Sequence, residues 1–527
     1  MESTVWSLVP PILAIIMVLL TKRVLLSLGV GIVAAALFID SFDVLGSIVL
    51  IWEAFKGVFV AEGAWNTWNV FLLLFVLMLG ILTAFVSMMG GTAAFAEWMI
   101  KRVKTRVGAQ VMTMLLGIIV FVDDYFNSLT VGQVAKPVTD KHRVSRAKLA
   151  YIVDSTSAPI CVIAPVSSWG AYIIGIIGTV FTTHAISEYS AFGAFIQIIP
   201  MNFYVWAALG VALVIAIRQV DFGPMKKHEQ RAMSTGEVLN PENKDKVDVA
   251  AKLPTSESSR ISDLLIPIAV LFISTIVSIY VNGLVAIEGE KTLINIFGNA
   301  DVSVALLYGG IIGLVITFAL FSRHIITGKL SGKHFITGII GGTKSMLPGF
   351  VILIFAWTIV DLIGQLGTGT YLAGIVEATN ISLTFLPFII FVMAGFIAFS
   401  TGTSWGSFGI LLPIAGEIAA ATDVSLILPI LAAVLSGAVF GDHCSPISDT
   451  TILSSTGSSC HHIDHVTTQI PYALVAAMIA GLGYLIFGMT ESVWLGLAIV
   501  IVSITALFAF TRRKNATDKI NEEPIAK

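Results

Sequence analysis

FVDDYFNSLTVG, residues 121–132, and FSTGTSWG, residues 399–406, are polar interruptions midway along two otherwise apolar stretches, 108–137 and 387–413. Lipid offers no hydrogen bonds, so a chain that leaves its helix at such a tip must bury the tip in protein or line a watery cavity with it. Each stretch therefore reads as a re-entrant hairpin. Each is followed by a span that is itself interrupted, by DSTSAP at 154–159 in the first half and by GDHCSP at 441–446 in the second. The order hairpin, loop, broken helix occurs twice.

Around these two units the sequence is apolar. A membrane-crossing helix needs about 20 mostly apolar residues, and spans of that kind read at 5–21, 24–40, 69–90, 149–183, 193–217, 262–285, 302–322, 333–364, 426–455, 466–488 and 492–510. Residues 43–61 carry Glu53 and Lys56 and read as an interfacial amphipathic helix. Residues 218–260 hold eight Lys or Arg and seven Asp or Glu beside Ser, Pro and Gly, and read as a solvated linker. The domain expectation is a first repeat over 1–217 (hairpin 108–137, broken helix 149–183), the linker 218–260, and a second repeat over 261–490 (hairpin 387–413, broken helix 426–455). A last helix and tail fill 491–527.

Composition agrees and narrows the function classes. Of 527 residues, 56% are hydrophobic and 12% charged, and the mean hydropathy is +0.92, so the bilayer is the solvent that fits. A net charge of −3 leaves no basic face for phosphates, which removes nucleic acid as a partner. Cys161, Cys444 and Cys460 form neither a disulfide framework nor a zinc spacing. The first apolar stretch lacks a basic leader and a cleavage site, and reads as a retained helix.

Charge decides how the two copies are related. The loop after the first hairpin carries Lys141, Arg143, Arg146 and Lys148, whereas residues 415–425 after the second carry Glu417 and Asp423 and no Lys or Arg. By the positive-inside rule the first loop is cytoplasmic and the second is not. The same rule puts the 218–260 linker and the C-terminal tail in the cytoplasm and the N-terminus outside, in an inner or plasma membrane. Three spans precede each hairpin and two follow it, entering from opposite sides. The expected fold is an all-α polytopic membrane protein with about eleven transmembrane helices plus two re-entrant hairpins in an inverted-topology repeat, the arrangement that builds alternating-access carriers.

Discontinuous helices in carriers present unwound carbonyls and half-helix ends to small cations, and hydroxyls supply further ligands. The candidates in the first half are Asp123, Asp124, Asn127, Ser128, Thr130, Asp154, Ser155 and Ser157. In the second they are Thr401, Thr403, Ser404, Asp442, Ser445, Ser448 and Asp449. Hard oxygens of this sort suit Na+, and a carboxylate among them binds Na+ or H+ but not both well, which is enough for antiport. Two readings stand for Asp123, Asp124 and Asp449, since each is also a natural helix cap. His443 reads as a pH modulator or as a neutral hydrogen-bonded histidine. His461, His462, Asp464 and His465 have metal-ligand types but read as a solvated turn without a transition metal. Aligning Pro159 with Pro446 offsets Asp154 and Asp442 by one residue, about 100° of helix rotation, so the two are expected to differ in role.

The stretches FVDDYFNSLTVG, DSTSAPICVIAPVSSWG (154–170), FSTGTSWGSFGILLPIAGE (399–417) and GDHCSPISDTTILSS (441–455) resemble those of NhaC-type Na+/H+ antiporters, over most of residues 1–510. The resemblance implies an inverted repeat with paired hairpins, elevator-type movement against a dimeric scaffold, Na+ and H+ as the transported ions, and no cofactor. A Na+- or H+-coupled carrier of a small organic acid or amino acid is the alternative within transport, with the 401–405 tip holding a carboxylate. An intramembrane enzyme built on His443, Asp442 and a serine is the alternative outside it, but hydrolysis has no need of paired broken helices.

Overall fold

The computed structural model describes residues 4–21, 23–61, 63–242, 256, 260–287, 291, 296, 300–368, 371 and 383–521. The first half runs α1 (Val9–Thr21), α2 (Val24–Ile39), α3 (Val44–Phe59), an antiparallel pair of β1 (Val60–Ala61) and β2 (Ala64–Trp65), α4 (Thr67–Met89) and α5 (Gly91–Arg102). It continues with α6 (Arg106–Ile119), α7 (Asp124–Lys141), α8 (Arg146–Ser155), α9 (Ala158–Cys161), α10 (Ser168–Thr183), α11 (Ala191–Ile198) and α12 (Phe203–Arg218). After α13 (Pro224–Thr235) come α14 (Ser262–Ala286), α15 (Val302–Ile326), α16 (Gly332–Leu366), α17 (Leu386–Thr401) and α18 (Ser404–Thr422). The chain closes with α19 (Ile427–Cys444), α20 (Asp449–Gly457), α21 (His462–Thr490) and α22 (Val493–Asn521).

This is an all-α polytopic membrane protein. Nine of the described helices are long and apolar enough to cross a bilayer, or ten if the pair Ala191–Met201 and Phe203–Arg218, bent by 45°, counts as one span. The faces of α14 expose Phe272, Ile273, Val277 and Val285, which only hydrocarbon solvates at no cost. By contrast every residue of α8 is buried.

The polar clusters of the two halves act as helix starts. Both stretches marked as hairpins are pairs of helices with a short break, 120–123 between α6 and α7 and 402–403 between α17 and α18. Asp123 accepts from Phe126 N to cap α7, and Thr403 accepts from Gly406 N to cap α18. Such caps satisfy amides that water would otherwise take, which is why Asp, Ser and Thr cluster where a helix resumes. Gly402 ends α17 at φ 70, and a Cβ there would lie 2.5 Å from Ile447 O, so backbone conformation and space both demand glycine. The two following spans are broken as well. α8 stops at Ser155 ahead of the short α9, and α19 stops at Cys444 before Ser448 caps α20. The capping alternative therefore holds for Asp123, whereas at Asp449 the cap is the preceding serine.

The sequence reading needs correction in four places. Residues 149–183 are three helices, with unwound backbone at 162–167 before α10. The helix at 43–61 ends at Phe59 and gives way to the β1–β2 turn. The turn at 461–465 is not uniformly solvated, because His465 is fully buried in the first turn of α21. The segment 219–242 is packed as a strap beneath the bundle. Buried Glu229 takes the Arg106 guanidinium and accepts from Ser145 N at 2.8 Å. Asp221 pairs with Lys148 and accepts from Tyr472 Oη at 3.0 Å. Arg146 N donates to Val238 O, and Asn240 donates to Asp464. Buried charges persist only when paired in this way, so Asp221 and Glu229 are held by partners on α8 and α6, while Lys226, Lys227, Glu237 and Glu242 stay exposed. Residues 243–255 and 257–259 of that segment, and the end of the tail from 522, lie outside the described residues.

Candidate functional site

The buried polar centre forms where α7, the end of α8, the end of α19, the start of α20 and the start of α21 meet. Asp154, one residue before the end of α8, is 1% exposed. Its Oδ2 accepts from Gln469 Nε2 at 2.6 Å and Thr451 Oγ1 at 3.1 Å, and lies 3.3 Å from His465 Nε2. Its Oδ1 accepts from Ser454 Oγ at 3.3 Å. One oxygen of the carboxylate is thus crowded with donors, while the other has a single hydroxyl.

That hydroxyl belongs to a chain. Ser454 Oγ also lies 3.2 Å from Ser128 Oγ, Ser128 Oγ lies 2.8 Å from Ser157 Oγ, and Ser157 donates to Asp124 O at 2.9 Å. Asp154 Oδ1, Ser454, Ser128 and Ser157 therefore form one oxygen cluster drawn from both repeats. Hydroxyl protons rotate, so each of these groups can turn a lone pair to a cation.

Asp442, third from the end of α19, is 2% exposed. Its Oδ2 accepts from Ser404 Oγ at 3.0 Å and Thr450 Oγ1 at 3.3 Å, and Ser448 Oγ lies 3.0 Å from Thr450 Oγ1. The consecutive residues Thr450 and Thr451 thus hold the two carboxylates, one each. His443 follows Asp442 and has both ring nitrogens engaged, Nε2 with Ser155 Oγ at 3.2 Å and Nδ1 with Tyr204 Oη at 2.8 Å. Gln469 Nε2 also donates to His443 O at 2.6 Å, so one amide ties the two broken helices together.

Asn127 organises the first tip. Its Nδ2 donates to Gly117 O, Val120 O and Thr156 O at 2.7, 2.9 and 3.1 Å, gathering carbonyls freed at the end of α6 and at the α8 break. Asp123 adds Ser168 Oγ at 2.9 Å to its cap bond. Among the described residues, three buried side-chain oxygens of this centre have no hydrogen-bond partner: Asn127 Oδ1, Asp442 Oδ1 and Gln469 Oε1. The Asp124 carboxyl has the Trp169 indole as its donor.

The structure brings Asp124, Asn127, Ser128, Asp154, Ser155, Ser157, Ser404, Asp442, Ser448 and His443 into this centre, with Asp123 at its edge as the cap of α7. Thr401 and Thr403 spend their hydroxyls on local backbone, at Ala398 O and Gly406 N, and Ser445 donates to Phe399 O near the end of α17. Thr130 is buried further along α7. Asp449 is exposed at the rim and accepts from Tyr125 Oη. Sequence reasoning missed Thr450, Thr451, Ser454, His465, Gln469 and Tyr204. A signal for two of them exists, since His465 and Gln469 are an i, i+4 polar pair in the otherwise apolar α21.

A sequence model of the Na+/H+ antiporter family matches residues 160–489. An uncharacterised protein of Haemophilus influenzae is 42% identical over 516 residues, covering 97% of this chain and 96% of its own. The malate-2H+/Na+-lactate antiporter of Bacillus subtilis is 34% identical over 160 residues, 28% of this chain and 32% of that protein. Among solved structures, the Alcanivorax borkumensis YdaH transporter superposes with a TM-score of 0.51 at 13% identity, over 84% of this chain and 89% of its own, a likeness of fold alone.

Proposed function

The chain belongs to the Na+/H+ antiporter family, and from that premise we propose that this multi-pass secondary transporter exchanges Na+ for H+ at the Asp154 and Asp442 centre. The observation that carries the reading is the oxygen cluster of Asp154 Oδ1, Ser454, Ser128 and Ser157, with three unpartnered buried acceptors in the same centre. A buried acceptor left without a donor costs about 1–3 kcal/mol, a cost that a bound cation relieves. The Na+ ligands in this reading are Asp154 Oδ1 and the hydroxyls of Ser454, Ser128 and Ser157. Gln469, Thr451 and His465 hold Oδ2 and so aim Oδ1. Asp442, with hydroxyl partners only, serves a second ion or the exchanged proton. A carboxylate that binds one cation excludes the other, and alternating access of the paired hairpins then couples the two flows.

Everted membrane vesicles holding a pH gradient test this. Na+ is expected to collapse the gradient between pH 7 and 9; an untouched gradient alongside uptake of malate, lactate or an amino acid would replace Na+/H+ exchange by organic-acid coupling, the reading favoured by the Bacillus subtilis relative's name. The orientation belongs to the same proposal: the protein sits in the cytoplasmic membrane with residues 141–146 inside and 417–423 outside. Cysteines in those two segments should label from opposite sides, and labelling from one side would sink the inverted repeat.

A further inference from the structure

α7 and α20 lie side by side and run in the same direction. Tyr125 Oη donates to Asp449 Oδ2 at 3.0 Å at their start. Ser128 and Ser454 meet next, Gly132 abuts Gly457 so closely that a Cβ would fall 2.6 Å from its carbonyl carbon, and Lys136 Nζ donates to Ser459 Oγ at 3.2 Å at the end nearest the strap. The outer edge of this seam is polar. Gln133, Asp449 and the apolar Ile452 are exposed, and Tyr125, Leu129, Lys136, Thr456 and Ser459 are half-buried.

Asp449 lies about 12 Å up α20 from its strap-side end. A carboxylate at that depth cannot face hydrocarbon without a penalty of a few kcal/mol, so the edge faces water. Directly behind the Tyr125–Asp449 pair are the groups of the centre: Thr450 and Thr451 follow Asp449 and hold Asp442 and Asp154, and Asp124 and Ser128 flank Tyr125.

We infer that the seam between α7 and α20 is the cation's path from the strap side, and that Tyr125 and Asp449 form the gate at its inner end. A monovalent cation travelling the outer edge of the seam passes Lys136 and Gln133, meets Asp449 as its first carboxylate and takes the place of the phenol hydrogen on Oδ2; the freed phenol lets α7 and α20 part at that inner end. The inference rests on reading the buried centre as a cation site. It adds an entry subsite and gate to that centre.

The test is thiol labelling of the full chain in proteoliposomes, with the three buried native cysteines as background. Gln133→Cys should react with a membrane-impermeant reagent from the same side as Ser234→Cys, which lies exposed on α13. Leu129→Cys should react slowly, and about tenfold faster once Tyr125→Phe or Asp449→Ala removes the single hydrogen bond of the gate. A Gln133→Cys that reacts only with a lipid-permeant reagent would show that the seam faces lipid and overturn the inference. Equal reactivity of Leu129→Cys with and without the Tyr125 hydroxyl would remove the gate. If labelling follows expectation while 22Na+ exchange is absent from wild type, the gate stands and the Na+ assignment alone falls.

Discussion

The two broken helices carry a carboxylate in the same setting and treat it differently. α8 ends one residue after Asp154, and α19 ends two residues after Asp442, so the side chains leave their helices about 100° apart. Asp154 turns toward α21, where an amide and an imidazole hold one of its oxygens, whereas Asp442 turns toward α18 and receives hydroxyls only. A repeated backbone motif thus yields one carboxylate fixed by charge-assisted donors and one held loosely. Partners from outside the motif decide which is which, and only α21 supplies an amide.

That difference can be broken most severely at Asp154. Asp154→Asn keeps the shape, removes the charge, and should lower Na+-dependent flux in vesicles by at least about a hundredfold, since an ion stripped of water in the interior loses the one charged group among its ligands. Asp442→Asn should leave Na+ flux running with weaker coupling to H+, and make the fall of activity on the acid side shallower, as expected when a group that trades Na+ for H+ is lost. A flux assay from pH 6 to 9 separates the two, and equal loss in both variants would erase the asymmetry.

Smaller changes sharpen it. Gln469→Met removes the donor shared by Asp154 and His443 O, and should raise the half-saturating Na+ concentration about tenfold, the size of one charge-assisted hydrogen bond at the lower end of its range. Ser404→Ala, the matching change beside Asp442, should raise it about threefold or less. The turns differ too. Gly402→Ala forces a Cβ into the left-handed region and against Ile447 O, and a thermal melt in detergent should show a loss of about 1–2 kcal/mol with Na+ affinity little changed.

Much of the fold was legible because lipid penalises what the sequence displays. Polar residues such as Asp123, Thr403 and Asp442 inside apolar stretches had to mark breaks, and the structure puts a break at or within three residues of each. Partners were less legible, since hydrogen bonds across 297–315 residues, from Asp154 to Thr451, His465 and Gln469, leave no local trace. His465 in particular sits beside His461 and His462, whose half-exposed positions colour the whole run as a surface turn, although the first turn of α21 carries the third histidine inward. The strap failed for the opposite reason: Asp221 and Glu229 look like solvent-loving charges until Lys148 and Arg106 are seen opposite them.

The central claim is that Na+ binds at Asp154 Oδ1, and thermal unfolding of the purified protein against rising NaCl, with choline chloride holding ionic strength constant, tests it most directly. A ligand that binds only the folded state stabilises it in proportion to the logarithm of its concentration once past Kd. Wild type and Asp442→Asn should melt at progressively higher temperature as Na+ rises, and Asp154→Asn should not respond. A Na+-dependent rise of equal size in Asp154→Asn would contradict the account and move the ion elsewhere in the centre.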